Sequence, residues 1–315
     1  MIFKPIYEPK GRANEYGSLA INIYDGCNHG CYYCYAPNVV KQNRETFAKV
    51  GHRLMLVESV KRQLEREKIT GQLIHLCFTC DPYPAEVDTT PTREVIKAIK
   101  AAGNNVQILT KGGERAERDF DLLGSGDWFG VTYTGLINGV GCKNKEEPNA
   151  APDDERLMSL IRAKWSGIST WLSCEPVLDT DGIYTTLQYG MSFIDLFRIG
   201  KLNYHASVID WATFGAKCIE LCQKHGRNYY IKEDLLRLVI EREAGGDIVL
   251  RELIGREYWY VTDMHETACA IPVTVTAITL RSFNACVNFT RVILLAGTLT
   301  QKSASNYKAI MKTLP

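Results

Sequence analysis

Three thiols stand within eight residues, at Cys27, Cys31 and Cys34, in the stretch Asp25-Gly26-Cys27-Asn28-His29-Gly30-Cys31-Tyr32-Tyr33-Cys34-Tyr35-Ala36-Pro37. A closed structural zinc site takes four ligands at tetrahedral geometry, and no second C-x2-C pair follows at zinc-ribbon distance. A four-iron cluster held by three thiolates keeps one iron open for a further ligand, and open metal positions are where chemistry occurs. The loop therefore reads as an iron–sulfur cluster loop. Gly26 and Gly30 let the backbone curl so that the sulfurs converge. Tyr32, Tyr33 and Tyr35 can screen a cluster from water, which helps to set its potential. Pro37 is expected to prevent an early helix. A zinc site that recruits His29 or His52 as the fourth ligand is the alternative.

Repeated strands and helices would position this loop. Leu19, Ile21 and Ile23 alternate with Ala20, Asn22 and Tyr24, which predicts a first strand feeding the cysteines, after an irregular arm over 1–16. Helical spacing over 53–68 leads to the compact apolar run Leu73–Thr79, suited to a buried parallel strand, and then to Cys80-Asp81-Pro82. Helix 89–102, strand 106–110 with Lys111-Gly112-Gly113, helix 114–123 and strand 128–134 continue the rhythm. A long segment, 135–153, with several Gly and Pro reads as a surface loop able to cover the mouth. Helix 154–166, strand 168–173 ending in Cys174-Glu175-Pro176, strand 193–199, helix 208–225, short strand 228–231 and helix 232–244 follow. Alternating βα units predict a mostly parallel sheet with an active site at the strands' C-terminal ends.

The chain has 315 residues, 45% of them hydrophobic and 23% charged, which describes a globular protein with a large core. A net charge of +1 gives no global attraction to a nucleic-acid backbone, while a local basic groove is compatible with it. Eleven cysteines, with Lys4, Glu8, Lys10, Arg12 and Glu15 in place of an apolar leader, predict a reducing, cytoplasmic setting. The apolar stretch 268–280 contains Pro272 and is too short to cross a bilayer, so no membrane partner is expected.

The spacing Cys27-x3-Cys31-x2-Cys34, with Tyr33 before the third cysteine and a strand before the first, resembles the signature of the radical S-adenosylmethionine (radical SAM) enzymes. The strand-end motifs Thr79-Cys80-Asp81-Pro82-Tyr83, Leu109-Thr110-Lys111 and Ile199-Gly200-Lys201-Leu202-Asn203 resemble the branch that contains spore photoproduct lyase and its uncharacterised relatives. The resemblance implies a partial, open (β/α)6 barrel over 17–244. It also implies a [4Fe-4S] cluster on Cys27, Cys31 and Cys34, and SAM as cofactor, cleaved reductively to a 5′-deoxyadenosyl radical. By the same resemblance Lys111 pairs with the SAM carboxylate, Asp81 and Glu175 face its ribose or amino group, and Tyr33 borders the cluster. Tyr35 assists hydrogen transfer and Cys80 donates the hydrogen, although the thiol's register departs from that of the lyase. Cys174 is a second donor candidate. A flavodoxin- or ferredoxin-like electron donor and an organic substrate, nucleic-acid related, are the implied partners.

Residues 245–315 form a separate extension that reads as β-prone, with an aromatic group at Tyr258, Trp259 and Tyr260. Cys218 and Cys222, four apart on a helix, read as packing residues. A function of a different class also fits the cysteine loop: a scaffold or regulatory protein that binds metal without radical chemistry.

Overall fold

Apolar runs bounded by glycines and polar turns form strands, and the amphipathic stretches between them form the helices that cover one face of the sheet. The computed structural model describes residues 4–136, 141–142, 144–189 and 192–243. These lie in one compact unit, Met1–Ala244, and the expected β-prone extension lies outside the described residues.

The chain begins with β1 (Ile6–Tyr7), a 3-10 helix (Gly11–Tyr16), β2 (Leu19–Ile21) and β3 (Tyr24–Asp25). Next come α1 (Ala36–Val39), α2 (Arg44–Phe47), β4 (Gly51–His52), α3 (Leu56–Glu67), β5 (Leu73–Leu76), α4 (Thr90–Ala101) and β6 (Asn105–Thr110). A second 3-10 helix (Gly113–Leu122) precedes β7 (Trp128–Thr132), α5 (Asp153–Trp165), β8 (Ser169–Cys174) and α6 (Thr180–Tyr189). The unit ends with β9 (Leu196–Ile199), α7 (Trp211–Lys224), β10 (Tyr229–Ile231) and α8 (Glu233–Glu243).

Eight strands form one sheet in the order β1-β2-β5-β6-β7-β8-β9-β10; β1 runs antiparallel to β2 and the other pairs are parallel. The expected six strands are all present, and β10 extends the parallel run to a seventh. Side chains alternate between the two faces. Ile74, Leu76, Val106, Ile108, Phe129, Leu172 and Phe197 pack under the helices, against Val60, Val95, Ile99, Leu160, Ile183 and Phe214. The opposite face carries Trp171, Leu196, Leu109 and Trp128 around Tyr16. Gly130 makes room there: a Cβ on it would lie 2.3 Å from the Trp171 ring, whose Nε1 donates across β7 to the Ile108 carbonyl at 3.0 Å.

Several boundaries differ from the sequence expectation for local reasons. The arm expected to be irregular has regular elements in its described part, residues 4–16: β1 and a 3-10 helix whose Tyr16 is buried. Strand 73–79 ends at Leu76 because the Phe78 and Thr79 amides turn to donate to Asn22 Oδ1 at 2.7 and 2.9 Å. The helix expected over 114–123 is 3-10, and that expected over 208–225 starts at Trp211, where Asp210 accepts from the Ala212 and Thr213 amides. Pro37 does not block a helix: it occupies the first turn of α1, where no N–H is required.

The N-terminal segment joins the two edges of the sheet. The Glu15 carbonyl accepts from Arg198 at 2.5 Å, and its carboxylate accepts from Tyr230 Oη at 2.8 Å and the Glu233 amide at 3.1 Å. The chain that starts on edge strand β1 is thus tied to edge strand β10, with the parallel strands' C-terminal ends gathered around one cavity.

Candidate active site

The cysteine loop is shaped by close approaches that only glycine tolerates. Gly26 has φ +84°, and a Cβ there would lie 2.3 Å from the Phe47 carbonyl, which accepts from the Cys27 amide at 2.9 Å. Gly30 has φ +75° and meets Pro148. Arg44 in α2 straps the loop by donating to the carbonyls of Cys31, at 2.9 Å, and of Tyr32. Cys27, Cys31 and Cys34 are free thiols that line one cavity of about 720 Å³.

Burial pushes the Cys31 thiol up to about 11, partly offset by Lys111, and pushes the Cys27 thiol well up too, with Asp81 adding to the rise. Thiolates are the metal-binding form, so such a buried set needs an added positive charge to ionise. Three free thiols on a glycine-curled loop fit a cluster with three protein ligands. Among the described residues, no group of three or more His, Cys, Asp or Glu side chains is spaced to hold one metal ion. His29 has its Nδ1 3.5 Å from Asp81 and its Nε2 3.1 Å from Arg115. Burial, reinforced by Arg115, lowers its pKa to about 4 despite Asp81. The His52 ring packs on Tyr24.

The wall beside the cysteines comes from segment 144–151, which had read as a surface loop. Its backbone clamps the cysteine loop, with the Tyr32 amide donating to Glu146 at 3.1 Å and the Asn149 amide to His29 at 3.1 Å. Glu147 is completely buried, accepts from Arg156 at 2.5 Å and from Tyr33 Oη, and lies 4.0 Å from Lys111 Nζ. Burial raises its carboxyl, but Arg156 and Lys111 outweigh that and hold it below the ordinary range. Arg156 also donates to the carbonyls of Ala151 and Thr132 at 2.8 and 3.0 Å. Sequence reasoning missed this pair, because Glu147 sits in the run Asn144-Lys145-Glu146-Glu147, which resembles a solvated loop. The available signal was Arg156 itself, on the buried stripe of α5 with Leu160 and Ala163.

Lys111 follows β6, with Nζ 3.3 Å from Thr132 Oγ1 and 5.7 Å from the centre of the Tyr33 ring. Burial lowers its pKa, but Cys31 and Glu147 more than restore it, so the amine stays charged. Asp81 accepts from Thr110 Oγ1 at 2.6 Å and from the Lys111 and Tyr83 amides at 2.9 and 2.8 Å. With His29 on its second oxygen, it holds the Lys111 turn in place. Glu175, after β8, accepts from Arg12 and Lys232 at 2.8 and 2.7 Å and from Tyr16 Oη at 2.9 Å. Tyr35 Oη donates to the Phe78 carbonyl at 2.9 Å, beside the turn bearing Cys80, whose Sγ accepts from the Tyr24 amide at 3.4 Å.

The cavity is lined by all nine residues expected at a site: the three loop cysteines, Tyr33, Tyr35, Cys80, Asp81, Lys111 and Glu175. Cys77, read as packing, lines it too. Cys174 does not; it is fully buried under the helices with Cys218 and Cys222.

Parallel strands whose C-terminal ends feed one cavity, with a cysteine loop after the first, can be matched to solved structures. A variant of spore photoproduct lyase superposes with a TM-score of 0.55 at 12% identity, covering 71% of this chain and 79% of that one. The fold is that of the radical SAM enzymes. SuiB of Streptococcus suis, bound to its precursor peptide, shares this radical SAM fold with a TM-score of 0.53 at 13% identity, over 71% of this chain and 51% of its own. In sequence, an uncharacterized protein of Methanocaldococcus jannaschii is 29% identical over 207 residues, 65% of this chain and 76% of its own. An uncharacterized protein of Acidianus two-tailed virus is 24% identical over 76% of this chain and 82% of its own. No family model matches. Among the described residues no helix is long and apolar enough to cross a membrane.

Proposed function

We propose that this chain is a radical SAM enzyme that abstracts hydrogen from an organic substrate. The observation that carries the reading is that Cys27, Cys31 and Cys34 share one cavity with Lys111 at the C-terminal ends of the parallel strands. In this reading the three thiolates hold a [4Fe-4S] cluster. When bound, the cluster supplies the electron that cleaves SAM reductively, an electron that an external flavodoxin- or ferredoxin-like donor must replace. The charged amine of Lys111 binds the SAM carboxylate, oriented by Asp81 through the turn and by Glu147 from the side. Glu175 offers a carboxylate to the SAM ribose or amino group from a position fixed by Arg12, Tyr16 and Lys232. Tyr33 and segment 144–151 exclude water from the cysteine side. Cys80 opens to the cavity, with its sulfur accepting from the Tyr24 amide, and is the hydrogen donor with Tyr35 beside it.

A nucleic-acid related substrate is supported by the mouth. Tyr204 is 77% exposed with the Arg12 guanidinium 5.8 Å from its ring centre, and exposed Tyr32 packs 5.2 Å from His205. An exposed ring with a cation over it suits a stacked base and its phosphate. Nine described cysteines are free, in keeping with a cytoplasmic setting.

The test is anaerobic reconstitution with iron and sulfide. The protein is expected to turn brown with about four irons per chain and, once reduced by dithionite, to release 5′-deoxyadenosine and methionine from SAM. Replacing Cys27, Cys31 and Cys34 together by Ala is expected to abolish both. Cluster assembly without any SAM cleavage would favour a metal-binding scaffold, and an intact cluster in the triple variant would move the site elsewhere.

A further inference from the structure

A second pair of thiols faces the same cavity and has no role in holding a cluster. Cys77 and Cys80 are separated by two residues, in the sequence Cys77-Phe78-Thr79-Cys80 directly after β5, and both line the cavity. The intervening backbone is curled: the Phe78 and Thr79 amides both donate to the one Asn22 Oδ1, at 2.7 and 2.9 Å. A turn around a single acceptor draws residues 77 and 80 together. The Cys80 sulfur rests on the Tyr24 amide at 3.4 Å, and Cys77 interacts with the backbone of the preceding residue, Ile23, so both sulfurs face the same two-residue stretch of chain. Cys77 is 6% exposed, whereas Cys80 is more open to the cavity. The more open Cys80 is the sulfur that reacts first, and Cys77, whose thiol is pushed well up by burial and by its neighbour, is the resolving partner.

We propose that Cys77 and Cys80 are a redox-active dithiol that closes to an intramolecular disulfide inside the cavity when a small disulfide oxidant of the glutathione type enters it. The Cys80 thiolate attacks one sulfur of the oxidant, whose S–S bond breaks and releases one thiol. The Cys77 sulfur, giving up its proton, then attacks the mixed disulfide at Cys80 and releases the second thiol. Two protein thiols and one small disulfide become one protein disulfide and two small thiols, and a dithiol reductant reverses the exchange. The pairing goes beyond the hydrogen-donor role of Cys80. Where that role holds, oxidation removes the donated hydrogen while the loop cysteines remain free to ligate.

Both thiols fall in one tryptic peptide, residues 69–93, which contains no other cysteine. Full-length protein handled without oxygen would be treated with oxidised glutathione, quenched with N-ethylmaleimide, digested and weighed. The expected result is a 69–93 peptide lighter by two hydrogen atoms, free of maleimide and glutathione, and restored by dithiothreitol. In Cys77→Ser the glutathione adduct should persist on Cys80; in Cys80→Ser, buried Cys77 should stay unmodified while exposed Cys142 reacts. The proposal is overturned if wild-type peptide 69–93 stays reduced, or keeps a glutathione adduct, under conditions in which Cys142 has reacted. The peptide mass is independent of radical chemistry. Release of 5′-deoxyadenosine from the same samples reports on that reading separately.

Discussion

Replacing Arg156 by Met would leave the Glu147 carboxylate without its nearest cation in a site that is 0% exposed. Three donations vanish together, to Glu147, Ala151 and Thr132, at 2.5, 2.8 and 3.0 Å. Removing one partner of a buried ion pair costs about 3–5 kcal/mol. Lys111 at 4.0 Å and the Tyr33 hydroxyl remain near the carboxylate, which argues for the lower end, about 3 kcal/mol. For a unit of this size that corresponds to a fall of roughly 6–12 °C in Tm. The measurement is thermal and urea unfolding of the apo protein at neutral pH, with Arg156→Met/Glu147→Gln as the second arm. The double variant should recover much of the loss, since no bare charge remains. The pH dependence has a definite sign. In the wild type the Glu147 carboxyl is held low, so its contribution is present above its unfolded value and is lost as pH falls through the folded value. In Arg156→Met the carboxyl is raised instead, so the gap between variant and wild type should begin to narrow above about pH 4.5, as the variant's buried carboxyl takes up its proton, and narrow further below it as the wild type loses its ion pair. A loss under about 1 kcal/mol, or a double variant no better than the single, would refute the buried-pair argument.

Gly130→Ala should lower stability by about 1–3 kcal/mol, because its Cβ would lie 2.3 Å from the Trp171 ring; unchanged unfolding and tryptophan fluorescence would contradict the close packing. His75, buried and stacked at 4.4 Å on Phe78, has its pKa lowered to about 3, by burial first and then by Arg198. The folded state resists its protonation, so its contribution is complete above about pH 6.5 and falls towards pH 3 by up to about 1.4 kcal/mol per pH unit. His75→Phe should flatten that part of the stability profile, and an identical profile would count against the assignment. Lys111→Ala should weaken SAM binding by roughly 1.5–3 kcal/mol, read by calorimetry on reconstituted protein, while equal affinity would release Lys111 from the SAM site.

The parallel strands were legible because strands buried on both faces read as near-continuous apolar runs, and the cysteine loop was legible because its chemistry lies in eight consecutive residues. Long-range partnerships were not. Glu175 stood out as a strand-end carboxylate, yet Arg12 lies 163 residues before it and Lys232 57 residues after it. Glu147 and Arg156 are nine apart, but the lysines and proline around Glu147 hid the fact that segment 144–151 folds inwards. Asp81 stood out as a strand-end carboxylate on the cavity, but the three donors from its own chain that make it shape the Lys111 turn are partners no local pattern announces. Pro37 misled because a helix interior and a helix first turn make opposite demands on proline.

The N-terminal segment also constrains the order in which the molecule can be assembled. Arg12, Glu15 and Tyr16 are made well before their partners Glu175, Arg198, Tyr230 and Glu233, which follow up to 218 positions later. During synthesis β2, β5 and β6 can associate through neighbours in sequence, while this leading segment waits as an unattached tether. Its docking is the clasp that shuts one side of the cavity. A cut before Gly17 therefore strikes Glu175 and Lys232 at the far edge of the sheet, and leaves Lys232 facing Glu175 without the Arg12 and Tyr16 donors that complete the carboxylate's shell.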